Sequence, residues 1–290
     1  MDLNLFTQSM LNGLMLASVY ALVALGLTLV FGILDIVNFA QGSLLLLGAY
    51  LAFAFVDNGI GYWFALPMVV IAVSLLGAML DVSLFARVRA VPINGLLISI
   101  GLIAVFSNVF HEIWGPDTYN LPSPITSVVT IGSVRLPTVR LVLIAATVVV
   151  LIGVAWFLRA TRAGTALRAL AQQPEADLLM GVRVERYRHA AVGVSAGLAA
   201  LGGALLAAVF PVTPTLGEGP LVKGFIVLII GGAGSPLGAV LGALLLGISE
   251  SVGITYWSAG GAEVLAFALL IIILFIRPTG LIRTVRGSTL

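Results

Sequence analysis

Ionisable residues are so sparse in this sequence that long apolar runs lie between them. No formal charge falls within residues 3–34, 36–56, 58–80, 90–110 or 141–158. A bilayer core about 30 Å thick is crossed by roughly 20 mostly apolar helical residues, so the pattern predicts five membrane-spanning helices in the first part of the chain. After a polar interval the apolar pattern resumes at 190–217, 224–249 and 264–276, the last reaching spanning length by borrowing from Ser258 onward. The first run reads as a span and not as a cleavable signal, because only the acidic Asp2 precedes it, without a basic n-region.

Positive residues are retained on the cytoplasmic side of a membrane, so arginines set the orientation. Eleven of the fourteen basic residues are arginines in three groups: Arg87 and Arg89; then Arg159, Arg162, Arg168, Arg183, Arg186 and Arg188; then Arg277, Arg283 and Arg286, while Arg135 and Arg140 in the connection 111–140 are exceptions. Placing all three groups inside requires an external N terminus and a cytoplasmic C terminus. The five first spans comply, and parity then forces residues 221–253 to enter the membrane and return. Gly231-Gly232-Ala233-Gly234-Ser235-Pro236 interrupts that stretch and breaks a helix, which predicts a hairpin. Its first arm, 221–230, is short for a crossing, so part of 211–220 is expected to dip into the membrane with it. The external connection 111–140 carries Pro116, Pro122, Pro124 and Pro137 and reads as an ordered, non-helical segment. The expected architecture is an all-α, polytopic transmembrane helical bundle. It has about 8–9 membrane segments, some broken or re-entrant, in a single domain over 1–290.

Composition narrows the chemistry. The 290 residues are 60% hydrophobic and 9% charged, with a mean hydropathy of +1.18; a soluble fold is excluded. A formal net charge of +2 offers no basic footprint for nucleic acid. The absence of cysteine removes disulfides, thiolate catalysis and Cys-based zinc sites, and His111 and His189 lie too far apart in sequence to suggest a metal cluster. No metal, cofactor or enzymatic bond chemistry is expected. A P-loop needs Gly-Lys-[Ser/Thr], but the only lysine, Lys223, follows Val222; the chain lacks its own ATP-hydrolysing motif. Secondary transporters more often keep ionisable groups in mid-membrane for ion coupling. Here Asp35, Asp81, Glu250 and Glu263 sit at predicted segment ends or breaks, where solvation or helix-end placement accounts for them.

Three interruptions carry candidate function. Around 33–43 a polar patch, Asp35, Asn38, Gln41 and Ser43, separates two long apolar runs. It is either a solvated turn or a break lying deeper, where discontinuous helices line a route for a polar solute; on the second reading Asn38, Phe39, Gln41 and Gly42 are pathway candidates, with Phe39 as a constriction. The interval at about 159–188 contains a helix signal: Pro174 at a first helical position, Glu175 and Asp177 at the positive N-terminal end, Leu178, Leu179 and Met180 as an apolar patch, and Gly181 as a stop. It is either a docking helix for another protein or a loop whose arginines only enforce topology. Finally, Gly238-x-x-x-Gly242, Ala239-x-x-x-Ala243, Ala243-x-x-x-Gly247 and Ala199-x-x-x-Gly203 signal close helix approach, within the chain or against a sliding partner.

Taken in order, these residues resemble the LivH-type permease family of bacterial branched-chain amino acid importers of the ATP-binding cassette class. The resemblance runs nearly end to end: Asn12-Gly13, Tyr20-Ala21-Leu22, Leu25-Gly26-Leu27-Thr28, Asn38-Phe39-Ala40-Gln41-Gly42, Gly48-Ala49-Tyr50, then Pro174-Glu175-Ala176 through Gly181-Val182, Gly231-Gly232-Ala233-Gly234-Ser235, Gly238 to Gly247 with Glu250, and Arg277-Pro278-Thr279-Gly280-Leu281. Arg87-Val88-Arg89 is leaner than the basic stretch such permeases often carry after the third span.

The resemblance implies a multi-pass permease of the bacterial cytoplasmic (inner) membrane that forms half of a path for branched-chain or related amino acids. It implies a second homologous permease, two cytoplasmic ATP-binding subunits and an external, periplasmic solute-binding protein as partners, besides membrane lipid. The ATPase-coupling candidates are then Pro174, Glu175, Asp177, Leu178 and Gly181 in the cytoplasmic loop, and Gly231, Gly232, Gly234 and Ser235 in the glycine-rich turn 231–236. Related permeases serve urea or short amides, which stands as the alternative substrate class; a stand-alone facilitator or secondary transporter is the alternative mechanism.

Overall fold

The computed structural model describes residues 3–34, 36–89, 91–125, 127–131, 134–172 and 184–282. Helix α1 spans Leu3–Leu34, α2 Gln41–Asp57 and α3 Tyr62–Leu80. Helix α3 continues through a π turn at Asp81–Phe85 into Ala86–Val88. Helix α4, Pro92–Trp114, starts on a proline whose missing N–H costs nothing at that position. Strands β1, Val128–Ile131, and β2, Val134–Pro137, form an antiparallel hairpin that pairs Val128 with Pro137 and Ile131 with Val134. There follow α5, Thr138–Ala160; α6, Arg162–Gln172; α7, Val184–Ala207; α8, Glu218–Gly231; α9, Pro236–Tyr256; and α10, Ala259–Ile276.

Among the described residues seven helices are long and apolar enough to cross a membrane, while α2, at 17 residues, and α8, at 14, are shorter. The all-α bundle expected from the apolar runs is therefore the fold, with a small β-hairpin on one connection. Boundaries moved where local chemistry outweighed hydropathy. Helix α4 runs on to Trp114, and the connection expected to be non-helical holds that last turn and the β-hairpin. The Arg-rich interval holds α6, which the apolar pattern did not single out. Thr161 starts it: its extended backbone leaves the α5 axis, and its Oγ1 accepts from the Gly164 N–H at 2.9 Å. Leu167 and Leu170 are buried against the bundle while Arg162 and Arg168 are exposed. The short helix expected at Pro174 to Gly181 lies outside the described residues, as does Asp35.

Two helices form the centre. The apolar windows of α1 and α7 are 78% and 89% buried, against 11% for α10 and 17% for α5. A helix that is apolar all round and covered all round is a core helix; α10 instead presents Phe275, Ile271 and Ile276 outward. Small residues allow the central contacts. Gly48 and Gly203 bring α2 onto α7, where a methyl group on Gly203 would fall on the Leu45 carbonyl and one on Gly48 against Ala200. Gly247 meets the Ala17 backbone at the α1–α9 contact. The small-residue motifs of α7 and α9 thus pack helices within this chain.

Contacts sort the loops into two ends. At one end, the α1 terminus near Gly32 approaches Gly234, Ile36 lies against Gly95 at the start of α4, and Arg89 meets Glu185 at the start of α7. At the other, Ser9 donates to Thr255 at 2.8 Å, and the backbones of Tyr119 and Val212 pair. Arg89, Arg188 and Arg277 lie at the first end, called the basic end below, whereas Arg140 bonds Asn12 toward the other.

Candidate functional site

Four features carry candidate functional chemistry. The first is the polar break. Asn38 is 4% exposed and Gln41 1% exposed, which excludes the solvated-turn reading for both. Asn38 Oδ1 accepts from the Ala40 N–H at 3.0 Å, and the Phe39 N–H donates to Ser99 Oγ at 3.1 Å. Gln41 Nε2 donates to the Ser195 carbonyl at 2.9 Å and to its Oγ at 3.1 Å, while Ser195 Oγ donates to the Gly26 carbonyl at 2.7 Å. Because Ser195 lies midway along α7, α2 begins inside the bundle. Non-helical backbone survives at such depth only under protein or water cover, and these bonds supply the cover.

Helix α8 begins at the same level. Gly42 and Gly217 meet backbone to backbone, and the Phe39 and Phe225 rings stand 4.8 Å apart. At about 1.5 Å per residue, the 17 residues of α2 and 14 of α8 reach roughly 25 and 21 Å, less than a bilayer core. Two half-helices therefore start back to back in the bundle and run to opposite ends. The structure brings together Phe39, Gly42, Gly217 and Phe225; Gln41 acts as a strut, its amide spent on α7. Gln41→Ala should lower stability by about 1–3 kcal/mol, the penalty for stranding buried polar partners. A melting midpoint in detergent equal to that of the unsubstituted protein would show that the strut carries no load.

The second feature is the glycine-rich turn. Gly231 closes α8, Gly232 and Gly234 adopt φ of +97° and +91°, and Ser235 caps α9 by accepting from the Gly238 N–H at 3.0 Å. The turn does not stand alone. The N–H groups of Leu281 and Ile282 donate to the carbonyls of Ile230 and Gly231 at 2.8 and 3.2 Å, and Gly280 packs on Gly232. Two sequence motifs nearly 50 residues apart, 231–235 and 277–281, are thus one structural unit at the basic end. The other coupling candidates, Pro174, Glu175, Asp177, Leu178 and Gly181, lie outside the described residues.

The third and fourth features correct the sequence reading of the acids. Asp81 is not solvated at a helix end: it is fully buried in the π turn, paired with Arg89 and, at 2.6 Å, with His189. Arg89 and Arg188 both hold Glu185, the second at 2.9 Å. This network ties α3 to α7. Glu250 is likewise inside α9, one and a half turns from its end, where Lys223 Nζ approaches Oε1 at 2.8 Å and the Tyr20 hydroxyl donates to Oε2 at 2.9 Å. Helices α1, α8 and α9 meet in that cluster. Hydropathy cannot anticipate either network, because a buried charge is tolerable only when a partner from another helix neutralises it. Glu263, by contrast, is exposed in the first turns of α10, as expected. Among the described residues no group of acids and histidines is arranged to hold a metal ion.

Comparison with known proteins agrees with this architecture. Residues 9–274 match the family described as branched-chain amino acid transport system, permease component. The chain is 30% identical to the high-affinity branched-chain amino acid transport system permease protein LivH of Escherichia coli K12, over 96% of this chain and 95% of that protein. It is 30% identical to LivH of Salmonella typhimurium over the same shares, and 29% identical to BraD of Pseudomonas aeruginosa, again over 96% and 95%. Its fold resembles a chain of PsaBC from Streptococcus pneumoniae, solved in complex with Fab, with a TM-score of 0.53 and 13% identity over 94% of this chain and 92% of that one. A family match over residues 9–274, together with 30% identity to LivH along nearly the whole of both chains, leaves one assignment: this protein belongs to the family of permease components of branched-chain amino acid transport systems.

Proposed function

We propose that this chain is one half of the translocation path of an importer for branched-chain or related amino acids, set in the cytoplasmic membrane and driven by separate ATPase subunits. The observation that carries the reading is the pair of half-helices, α2 and α8, that start against each other inside the bundle at Gly42 and Gly217. Irregular backbone at such a junction offers polar groups to a solute where continuous helices offer none. The Phe39–Phe225 contact closes the junction as a gate. The basic end, with the braced turn at Gly231, Gly232, Gly234 and Ser235, faces the cytoplasm and receives the ATPases, together with the segment from Pro174 to Gly181. The opposite end, with the β-hairpin and the Tyr119–Val212 bridge, receives a solute-binding protein.

A permease without a phosphate-binding loop moves solute uphill only if its partners bind its two conformations with different affinity. The expected result is ATP-dependent leucine accumulation in proteoliposomes holding this chain, a second permease, both ATPases and the binding protein, and none in vesicles holding this chain alone. Accumulation by the isolated chain under a proton or sodium gradient would overturn the reading. ATP-driven uptake of urea or a short amide, without uptake of any amino acid, would replace the substrate class.

A further inference from the structure

The chain's only lysine lies within hydrogen-bond reach of a carboxylate inside its membrane-embedded part, and the path described above makes no use of the pair. Lys223 is 6% exposed. An ammonium group carries three N–H donors, and among the described residues one of them is used, to Glu250 Oε1. Glu250 Oε2 has its own donor, the Tyr20 hydroxyl. A buried cation with two unspent donors is an incomplete arrangement in a low-dielectric setting, and the group that completes it is an anion with several acceptor lone pairs.

Placement adds a second argument. Lys223 is one turn and a half into α8, and Phe225, two residues on, is the residue that packs on Phe39 at the junction. The cluster lies just beneath an outer face. Its neighbours Gly219, Val222 and Ile254 are exposed, and a side chain on Gly219 would meet open space. This face, with α8 behind it, is continuous with the starting point of the half-helix.

We propose that Lys223, Glu250 and Tyr20 form a binding station for zwitterionic α-amino acids. The substrate carboxylate takes the Lys223 ammonium, and the substrate ammonium takes Glu250. The exchange turns one ion pair into two and leaves the net charge of the buried site unchanged, so neither protein group is stranded. Tyr20 keeps its bond to Oε2 throughout and holds the carboxylate in place. A neutral amide has no charge with which to separate the pair, and a simple cation or anion strands one member of it. The station thereby selects free amino acids over uncharged amides whatever their side chain. This inference deepens the amino acid permease reading and rests on it.

The test uses the complete transporter in proteoliposomes, with leucine and its uncharged analogue 4-methylvaleramide as probes. Lys223→Met and Glu250→Gln should each reduce ATP-driven leucine uptake by about tenfold or more, a change equivalent to about 1.4 kcal/mol. The exchanged pair, Lys223→Glu with Glu250→Lys, keeps an ion pair and should assemble in the membrane in normal amount, yet leucine uptake should stay low: the substrate would have to enter end for end, with the Tyr20 donor set against an ammonium. Recovery of uptake in the exchanged pair would make the ion pair a structural tie and overturn the station. A readout independent of variant folding is amine acylation of the unsubstituted transporter, followed at the Lys223 peptide by mass spectrometry. Leucine should slow modification and 4-methylvaleramide should not; indifference to leucine would overturn the station. If the unsubstituted transporter takes up no amino acid at all, the permease reading falls; if it does and the exchanged pair does equally well, only the station falls.

Discussion

Asp81→Ala should destabilise the folded permease by about 3 kcal/mol or more, the usual consequence of removing one member of a buried ion pair. Asp81 is fully buried, and its carboxylate faces both Arg89 and His189. Among the described residues Arg89, 13% exposed, would retain Glu185 alone, whose side chain is 57% exposed and so a weaker counter-charge. The loss should be far from additive. Removing Arg89 as well, in Asp81→Ala/Arg89→Ala, relieves the stranded guanidinium and should recover part of the stability, as expected for residues in one network. Thermal midpoints of the purified transporter in detergent give the cycle directly. Strictly additive shifts would mean that the π turn is not held by this pair. The same substitution loosens the attachment of α3 to the start of α7, so on the proposed function ATP hydrolysis linked to uptake should fall along with stability.

Gly203→Val should prevent accumulation of folded protein. A Cβ at that position falls on the Leu45 carbonyl, and the facing glycine, Gly48, is equally crowded by the Ala200 backbone. Backbone cannot yield as a flexible side chain does, so the α2–α7 contact must open along its length, at a cost of about 3 kcal/mol or more at the upper end of overpacking effects. Gly101→Val and Gly153→Val are the controls: nothing lies within 4 Å of either added Cβ, and both should yield folded protein in normal amount. The comparison is read from monodisperse protein recovered from membranes. Equal yields for all three variants would contradict the packing of the two helices.

The membrane segments were legible because charge is nearly excluded from a bilayer interior, so long uncharged runs stand out between clusters of arginine. The glycine-rich turn was legible for a different reason: Gly232 and Gly234 occupy positive φ, which few other residues tolerate. Helix α6 was missed because its signal is a threonine cap and two leucines, too little apolar length to stand out. The acids were misread because Asp81 and Glu250 fall close to the ends of uncharged runs, and a one-dimensional pattern equates the end of a run with solvent. Their partners lie elsewhere in the sequence: His189 is 108 positions from Asp81, and Tyr20 is 230 from Glu250. In α1, where nearly every side chain is apolar, no stripe distinguishes a face toward lipid from a face toward protein.

By itself, the amino-acid sequence determined that this protein lives in a membrane, that it is built from helices broken at two polar or glycine-rich points, and that it lacks the phosphate-binding loop of an ATPase. Each follows from transfer free energies and backbone preferences, which belong to residues one at a time. Only the tertiary structure decided that α1 and α7 are central, that Gln41 is a buried strut, that the tail braces the glycine turn, and that Lys223 finds Glu250. Those are relations between surfaces, set by close packing and by pairing of buried charge, and no residue carries them alone.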